Sequence, residues 1–192
     1  MNIEKAITDS ISVKQKILQD VSIHAQIWKA AEYCIETYRD LGGKVLFCGN
    51  GGSAADAQHL AAELSGRYLY DRDPLYSEAL HVNTSYLTAV ANDYSYDLIY
   101  SRMIKGSGKK GDVLFGISTS GNSVNVINAL KQAKELGMKT VAFTGAGGGE
   151  MASVADLSIR VPSEDTPRIQ EAHIMIGHII CEIIESELFP RS

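Results

Sequence analysis

Apolar positions recur along the chain at two spacings, one typical of helices and one typical of buried strands. Residues 1–41 carry apolar side chains at helical intervals and end at Gly42 and Gly43. This pattern predicts two helices, or one helix broken between Asp20 and His24. Because the segment contains no strand of its own, we expect it to pack on the remaining residues or on a second copy of the chain.

Residues 42–192 alternate short apolar runs with helical stretches. Five runs predict strands, namely KVLFCG, SEALHVN, GDVLFGI, MKTVAFTG and ADLSIRVPS. A long last helix follows, with Thr166 as its expected cap and Pro167 at its first position. The alternation predicts right-handed crossovers and a parallel sheet. We therefore expect an α/β fold, a flavodoxin-like three-layer α/β/α sandwich with a five-stranded parallel sheet, whose ligand lies at the carboxyl ends of the strands.

The composition is that of one domain, with 192 residues, 45% of them hydrophobic, and a formal net charge of -5. A mildly acidic chain without a run of Lys or Arg argues against nucleic acid and anionic membranes as partners. No apolar run approaches the roughly 20 residues of a membrane-spanning helix. Cys34, Cys48 and Cys181 lie far apart in apolar runs, as buried thiols of a reducing cytoplasm do. The acid-containing N-terminal stretch lacks the residue order of a signal peptide, so we expect a cytoplasmic protein.

Glycines cluster where the predicted strands end. Gly49, Gly51 and Gly52 follow the first strand, the loop Ser118-Thr119-Ser120-Gly121-Asn122-Ser123 follows the third, and residues 145–149 include four glycines after the fourth. Free backbone N–H groups, hydroxyl donors and a helix N-terminus together bind phosphate. Ordinary turns, with Ser123 as a helix cap, are the alternative. Two such loops at neighbouring strand ends favour a small phosphorylated ligand, and the lack of a GxxxxGK[ST] motif argues against a nucleoside triphosphate.

Two predicted helices carry ionisable side chains among small or apolar residues. His59 and Glu63 are four residues apart, so both face the same side of the helix after the first glycine loop. We expect that helix to be mostly buried, where ionisable groups need partners. His178 lies in an apolar stretch of the last helix, eight residues after Gln170. A surface ion pair and a core histidine are the structural alternatives to a functional site.

Four segments of the chain follow one another as they do in the sedoheptulose 7-phosphate isomerases, or phosphoheptose isomerases: CGNGGSAADAQHLAAELSGRY, AND, GISTSGNS and TPRIQEAHIMIGH. The chain resembles this subgroup of the SIS-domain family over nearly its whole length. The resemblance implies an aldose-ketose isomerase that converts sedoheptulose 7-phosphate to D-glycero-D-manno-heptose 7-phosphate, the first step of nucleotide-activated heptose synthesis for surface glycans. It implies a helical segment at residues 1–41, a phosphosugar-binding SIS domain at residues 42–192, and a homotetramer.

The resemblance also implies a set of site residues. Glu63 is the expected base and His178 the expected acid/base in a reaction through an enediol. One zinc ion per subunit is expected on His59, Glu63, Gln170 and His178. The expected substrate-binding residues are Gly51, Gly52, Ser53, Glu63, Asn92, Asp93, Ser118, Thr119, Ser120, Ser123 and Gln170. The residues leave open whether Glu63 and His178 transfer protons, bind metal or do both, and an Asx turn is the alternative for Asn92 and Asp93.

The spacing of two implied ligands has a consequence for assembly. On one straight helix, Gln170 and His178 are about 12 Å apart along the axis and about 80° apart around it. Both side chains could hardly reach one metal whose ligand bonds are about 2 Å long. We therefore expect the two residues to act from different subunits, which would place the active site at a subunit interface.

Two other functions are compatible with the fold. A related group of SIS-domain proteins forms non-catalytic, tetrameric modules that associate with the bacterial replication initiator, but these resemble the chain without the Glu and the second His. Because Glu63 and His178 are both present here, we favour the enzyme. A phosphosugar-sensing regulator would carry a basic helix-turn-helix segment, which the sequence does not show.

Overall fold

The computed structural model describes residues 2–191, which form one sheet with helices on both faces. The strands are β1 (Val45–Gly49), β2 (Ser77–Ala79), β3 (Val113–Ile117), β4 (Lys139–Thr144) and β5 (Leu157–Arg160). The helices are α1 (Ile3–Gln19), α2 (Val21–Arg39), α3 (Gly52–Ser65), α4 (Thr84–Asp93), α5 (Ile99–Ser107), α6 (Val124–Glu135), α7 (Gly149–Val154) and α8 (Thr166–Leu188), with a 3-10 turn at Tyr96–Leu98.

The sheet has the strand order β2-β1-β3-β4-β5, and every neighbouring pair is parallel. This is the flavodoxin-like order, so the fold class expected from the sequence is confirmed. The order reverses between β1 and β3, which pair directly with Gly49 opposite Ile117. A crevice therefore opens at the carboxyl ends of these two strands, where doubly wound sheets bind their ligands.

Each face of the sheet is covered by its own apolar layer. On β1, Val45 and Phe47 belong to the core shared with α1, α2, α3 and α8, whereas Leu46 and Cys48 belong to the core shared with α4 to α7. Successive side chains of a strand point to opposite faces, so a continuous apolar run covers both layers. All five residues of β1 and of β3 are buried.

The N-terminal segment forms two helices that separate at Asp20, as the sequence predicts. The Asp20 side chain accepts hydrogen bonds from the N–H groups of Ser22 and Ile23, so it caps α2. These bonds lower the pKa of the exposed Asp20 carboxyl group, mainly through the side-chain and backbone donors of Ser22. Val13 and Ile17 of α1 join the core that contains α8, so both helices pack on the domain.

The last helix begins one residue earlier than predicted. Asp165 precedes α8 with an extended backbone, and Thr166 is already helical, so Thr166 is not the cap. Asp and Thr are both favourable before a helix, and the local sequence does not separate them. None of the helices in residues 2–191 combines the length and the apolar character needed to cross a membrane.

Candidate active site

The turn between β1 and α3 places two glycines at the start of the helix. Gly51 has a φ of +57°, a conformation that favours glycine. At Gly52, a Cβ would lie 2.6 Å from Nε2 of Gln170 on α8, so a larger residue there would displace that amide. Ser53 is buried, and its N–H donates to the Asn50 carbonyl oxygen at 3.0 Å. This turn therefore offers glycine backbone and the Gln170 amide, with the Ser53 side chain packed inward.

The turn between β3 and α6 gathers hydroxyl groups. The Ser118 Oγ lies 2.9 Å from the Ser123 Oγ and 3.4 Å from the Ser120 Oγ. Ser123 precedes α6 but makes no side-chain cap hydrogen bond, because its hydroxyl meets Ser118 instead. The Ser123 side chain therefore does not cap α6, although the alternative interpretation of this loop as an ordinary turn required that it should. Hydroxyls and an uncapped helix N-terminus in one turn suit a phosphate group.

The serine turn is fixed by the glycine-rich loop after β4. The Gly145 N–H donates to the Thr119 carbonyl oxygen, and the Glu150 N–H donates to the Asn122 side chain, both at 2.9 Å. Gly121 has a φ of +68°, and a Cβ there would overlap the Gly148 carbonyl oxygen. The close approach of two backbones explains why glycines are needed on both loops.

Three side chains meet on the facing sides of α3 and α8. The His59 Nε2 is 2.9 Å from Glu63 Oε1 and 3.0 Å from the His178 Nε2. His59 and Glu63 share a helix face as their spacing predicts. That face is more open than expected from the apolar surroundings, because the His59 side chain is 51% exposed and that of Glu63 is 23% exposed.

The donor atoms of this trio suit a transition metal. One N–H on the His59 Nε2 cannot point at both Glu63 and His178, so hydrogen bonding alone does not satisfy the three groups. One donor atom from each residue lies within 4.8 Å of the others. Two ligand atoms on a tetrahedral zinc ion, with bonds of about 2.0–2.1 Å, are about 3.3 Å apart, close to the separation of the two nitrogens. Two imidazoles and a carboxylate are ligands that Zn²⁺ accepts.

Gln170 lies at the other end of α3 from this trio. Its amide packs beside Gly52, and His59 follows two helical turns later, or about 10 Å along the axis. Three of the four expected ligands therefore converge within one chain. The expectation that Gln170 and His178 act on one metal from different subunits stays a prediction.

The segment after α4 approaches the β1 turn. Asn92 and Asp93 are exposed at the end of α4, and the Asn92 side chain donates to the Asp93 carboxylate at 2.9 Å. Three residues later, the Tyr96 hydroxyl donates to Asn50 Oδ1 at 3.1 Å. Asn50 also exchanges two side-chain hydrogen bonds with Asn125 of α6. Asn50 was absent from the expected site residues although it stands directly before the glycines of the first loop.

Tyr68 is a second residue that the sequence did not single out. Its ring stacks on the His178 imidazole, with centroids 5.6 Å apart and planes 29° apart. A tyrosine in the loop after α3 carries no motif that would predict this contact.

Comparisons with known proteins match the fold and the sequence of this chain. A model of the SIS domain family matches residues 11–145. The phosphoheptose isomerase of Clostridium acetobutylicum is 56% identical over 187 residues, which cover 97% of this chain and 95% of that protein. The phosphoheptose isomerase of Sulfurimonas denitrificans is 52% identical over 187 residues, which again cover 97% of this chain and 95% of that protein. The structure of phosphoheptose isomerase GmhA from Neisseria gonorrhoeae matches with a TM-score of 0.89 and 43% identity, over 96% of this chain and 97% of that chain.

Proposed function

Because the chain belongs to the SIS-domain family and, within it, to the phosphoheptose isomerases, which are aldose-ketose isomerases, we propose that it converts sedoheptulose 7-phosphate to D-glycero-D-manno-heptose 7-phosphate. The observation that carries this proposal is the meeting of His59, Glu63 and His178 in a chain whose β3–α6 turn also gathers serine hydroxyls. The product would enter nucleotide-activated heptose synthesis for surface glycans. Three buried free cysteines agree with a reducing cytoplasm as its location.

Substrate binding divides between the two ends of the crevice. The phosphate would be held by the hydroxyls of the serine turn and by the glycine backbone of the β1 turn, whose residues are Ser118, Thr119, Ser120, Ser123, Gly51, Gly52 and Ser53. The exposed side chains of Asn92 and Asp93, with the amide of Gln170, would bind hydroxyls of the sugar chain.

Proton transfer would use the carboxylate and the imidazole of the trio. Glu63 removes a proton from C1 of the ketose and returns one to C2, which leaves an enediol between the two steps. His178 moves a proton between O1 and O2, and its Nε2 already faces the other two side chains. A base and an acid in one place avoid a fully charged intermediate, and each contributes about 100-fold or more to such a reaction.

We further propose zinc as the cofactor, held by His59, Glu63 and His178 of one chain with Gln170 from a neighbouring subunit. When bound, the ion polarises the substrate oxygens.

Apolar side chains left exposed on the outer helices support an oligomer, which we take to be a tetramer. Leu18, Trp28 and Ile179 line an apolar groove between α1, α2 and α8. A second copy of the chain would remove this groove from water.

The test is an aldose-ketose assay with sedoheptulose 7-phosphate on the purified chain and on two variants. Glu63→Gln and His178→Gln should each lower kcat by about 100-fold or more, because each removes one proton-transfer group. Both should keep the wild-type thermal midpoint. Glu182→Gln, an exposed position on α8, is the matched control and should keep full activity. Wild-type turnover in either test variant would refute the assignment, and binding of the sugar phosphate without turnover by the wild-type chain would indicate a non-catalytic SIS module.

A chelator tests the metal separately. Removal of the ion should lower kcat, and zinc should restore it, while the fold remains intact because the trio lies outside both apolar cores. Full activity in a chain from which elemental analysis finds no metal would exclude zinc as the cofactor.

A further inference from the structure

The His178 ring contacts two other rings. The His59 ring lies with its centroid 5.0 Å away and its plane tilted by 58°, and the Tyr68 ring stacks at 5.6 Å with its plane 29° away. Tyr68 belongs to the loop between α3 and β2. No hydrogen bond engages its hydroxyl among residues 2–191, so the contact with His178 is made by the ring face. Such a stack restricts rotation of the imidazole about its Cβ–Cγ bond.

The loop that carries Tyr68 is anchored by one buried carboxylate. Glu185 of α8 accepts hydrogen bonds from three successive backbone N–H groups, those of Tyr68 at 2.9 Å, Leu69 at 2.7 Å and Tyr70 at 3.3 Å. The Glu185 side chain is 1% exposed. Three donors converging on one carboxylate fix the path of the backbone at the residue whose ring covers His178.

Arg72 connects this anchor to the end of α3. Its Nε lies 2.9 Å from the Glu185 carboxylate, and its side chain is 2% exposed. The other guanidinium nitrogens donate to the carbonyl oxygens of Glu63 and Leu64, each at 2.9 Å. These carbonyls lie in the last turn of α3, where the helix provides no partners. One ion pair thus joins α8, the loop and the helix that carries Glu63.

The charge state of this pair follows from its surroundings. Burial by itself raises the pKa of Glu185, but the N–H groups of Tyr68 and Leu69 and the Arg72 guanidinium outweigh it and lower that pKa. The pair is therefore charged at neutral pH. A buried ion pair contributes little net stability, because desolvation of two charges offsets their attraction. Its value here is geometric, since Glu185 follows His178 by seven residues and lies on nearly the same face of α8.

We propose that Tyr68 is a positioning residue that keeps the His178 imidazole directed at His59 and Glu63, and that the Arg72–Glu185 pair holds Tyr68 in place. This inference rests on the proposed role of His178 in proton transfer. Proton transfer and metal binding both require the imidazole nitrogen to lie within about 0.5 Å of its productive position, and a side chain that rotates freely loses that alignment.

The first test separates the ring of Tyr68 from its hydroxyl. Tyr68→Ala should lower kcat about tenfold or more with a change in KM below about threefold, because phosphate and hydroxyl binding lie elsewhere. Tyr68→Phe keeps the stacking ring and should restore kcat to within about twofold. Leu69→Ala is the matched control, an exposed side chain in the same loop that leaves the backbone donors in place. Equal activity of Tyr68→Ala and wild type, or a failure of Tyr68→Phe to restore kcat, would overturn the proposal.

The second test observes His178 without turnover. In chelator-treated protein with labelled histidine, the ring-proton resonance of His178 can be assigned from its loss in His178→Gln. Tyr68→Ala should shift this resonance through the lost ring current, and Tyr68→Phe and Leu69→Ala should not. An unchanged resonance in Tyr68→Ala would refute the stack. A shifted resonance in Tyr68→Ala, together with no isomerase activity in the wild-type chain, would support the positioning and refute the proposed function.

The third test addresses the ion pair. Glu185→Gln removes the charge and turns one acceptor into a donor that faces backbone N–H groups. Hydrogen exchange of the peptide over residues 66–73 should become faster in this variant, and that of β3 should stay unchanged. Unchanged hydrogen exchange over residues 66–73 in a folded Glu185→Gln protein would show that the Arg72–Glu185 pair does not hold Tyr68 in place. If the variant does not fold, Arg72→Lys serves in its place, because lysine keeps the charge but not the three-way donor geometry.

Discussion

At the scale of single residues, His173 shows how burial separates a core histidine from a candidate functional one. Its side chain is 1% exposed, its Nε2 donates to the Thr144 carbonyl oxygen at 3.1 Å, and its ring packs on Phe143. Burial lowers the pKa of His173 to about 4. His178, five residues later on the same helix, is partly exposed and faces the trio. Both lie in an apolar stretch, so periodicity did not rank them, and only the resemblance to the isomerases singled out His178.

His173 makes stability depend on pH. Its pKa is about 4 in the folded chain and about 6.5 in the unfolded chain. Between these two pH values, His173 is mostly protonated in the unfolded chain and mostly neutral in the folded chain. The contribution of neutral His173 is complete above about pH 6.5 and is lost as the pH falls towards 4, by about 3 kcal/mol in all. Urea unfolding at fixed protein concentration, repeated between pH 4 and pH 7, measures this loss of stability. His173→Gln keeps a donor for Thr144 and should show a smaller loss over this range, and equal losses in both proteins would contradict the explanation.

At the scale of elements, the turns at the strand ends were the most predictable part of the site. The alternation of strands and helices places the turns of β1 and β3 side by side, and their glycine and serine residues predict phosphate binding there. What the sequence left open was the use of Ser123, which is equally suited to cap α6. The structure directs its hydroxyl to Ser118, because the turn brings both side chains to the same side.

Ser123→Ala tests this turn. Because the Ser123 side chain does not cap α6, its loss should leave the thermal midpoint within a few degrees of wild type. The KM for the sugar phosphate should rise about tenfold, through loss of one hydrogen bond to a charged group. Ser153→Ala, an exposed hydroxyl on α7, is the matched control and should leave KM unchanged. A large fall in thermal midpoint with an unchanged KM would show that Ser123 is a structural cap.

At the scale of the whole molecule, the outer helices carry apolar side chains that the packing of residues 2–191 leaves exposed. Ile3, Ile7 and Ile11 are each at least half exposed and lie four residues apart on one face of α1. Trp28 of α2 is 48% exposed beside the groove formed with α8. Large apolar patches of this kind mark interaction surfaces. The sequence predicted amphipathic helices here, and only the packing revealed which of their faces the domain does not cover.

Trp28→Lys should place a charge in this groove and disrupt an assembly of identical chains. Light scattering should give a multiple of the chain mass for the wild type and a smaller species for the variant. The kcat should fall in parallel, because each site would lose the Gln170 that we propose a neighbouring subunit supplies. Leu41→Lys is the control, at a similarly exposed leucine outside the groove. A wild-type chain that is monomeric and fully active would refute both the oligomer and the shared site.

The sequence by itself determined the features that depend on neighbouring residues. Strand and helix periodicity, the break at Asp20 and the glycine turns are local, and so is the pairing of His59 with Glu63, which follows from helical spacing. The boundary of α8 was wrong by one residue, since Asp165 and Thr166 are both suited to the position before a helix.

The tertiary structure decided the contacts between distant parts of the chain. His178 meets His59 across 119 positions, and Glu185 meets the N–H groups of the Tyr68 loop across 115 to 117 positions. No local pattern specifies such contacts, because they depend on how α3 and α8 pack over the sheet. The sequence therefore supplied the chemical groups of the site, and the packing of two helices determined which of them touch and which residues hold them in place.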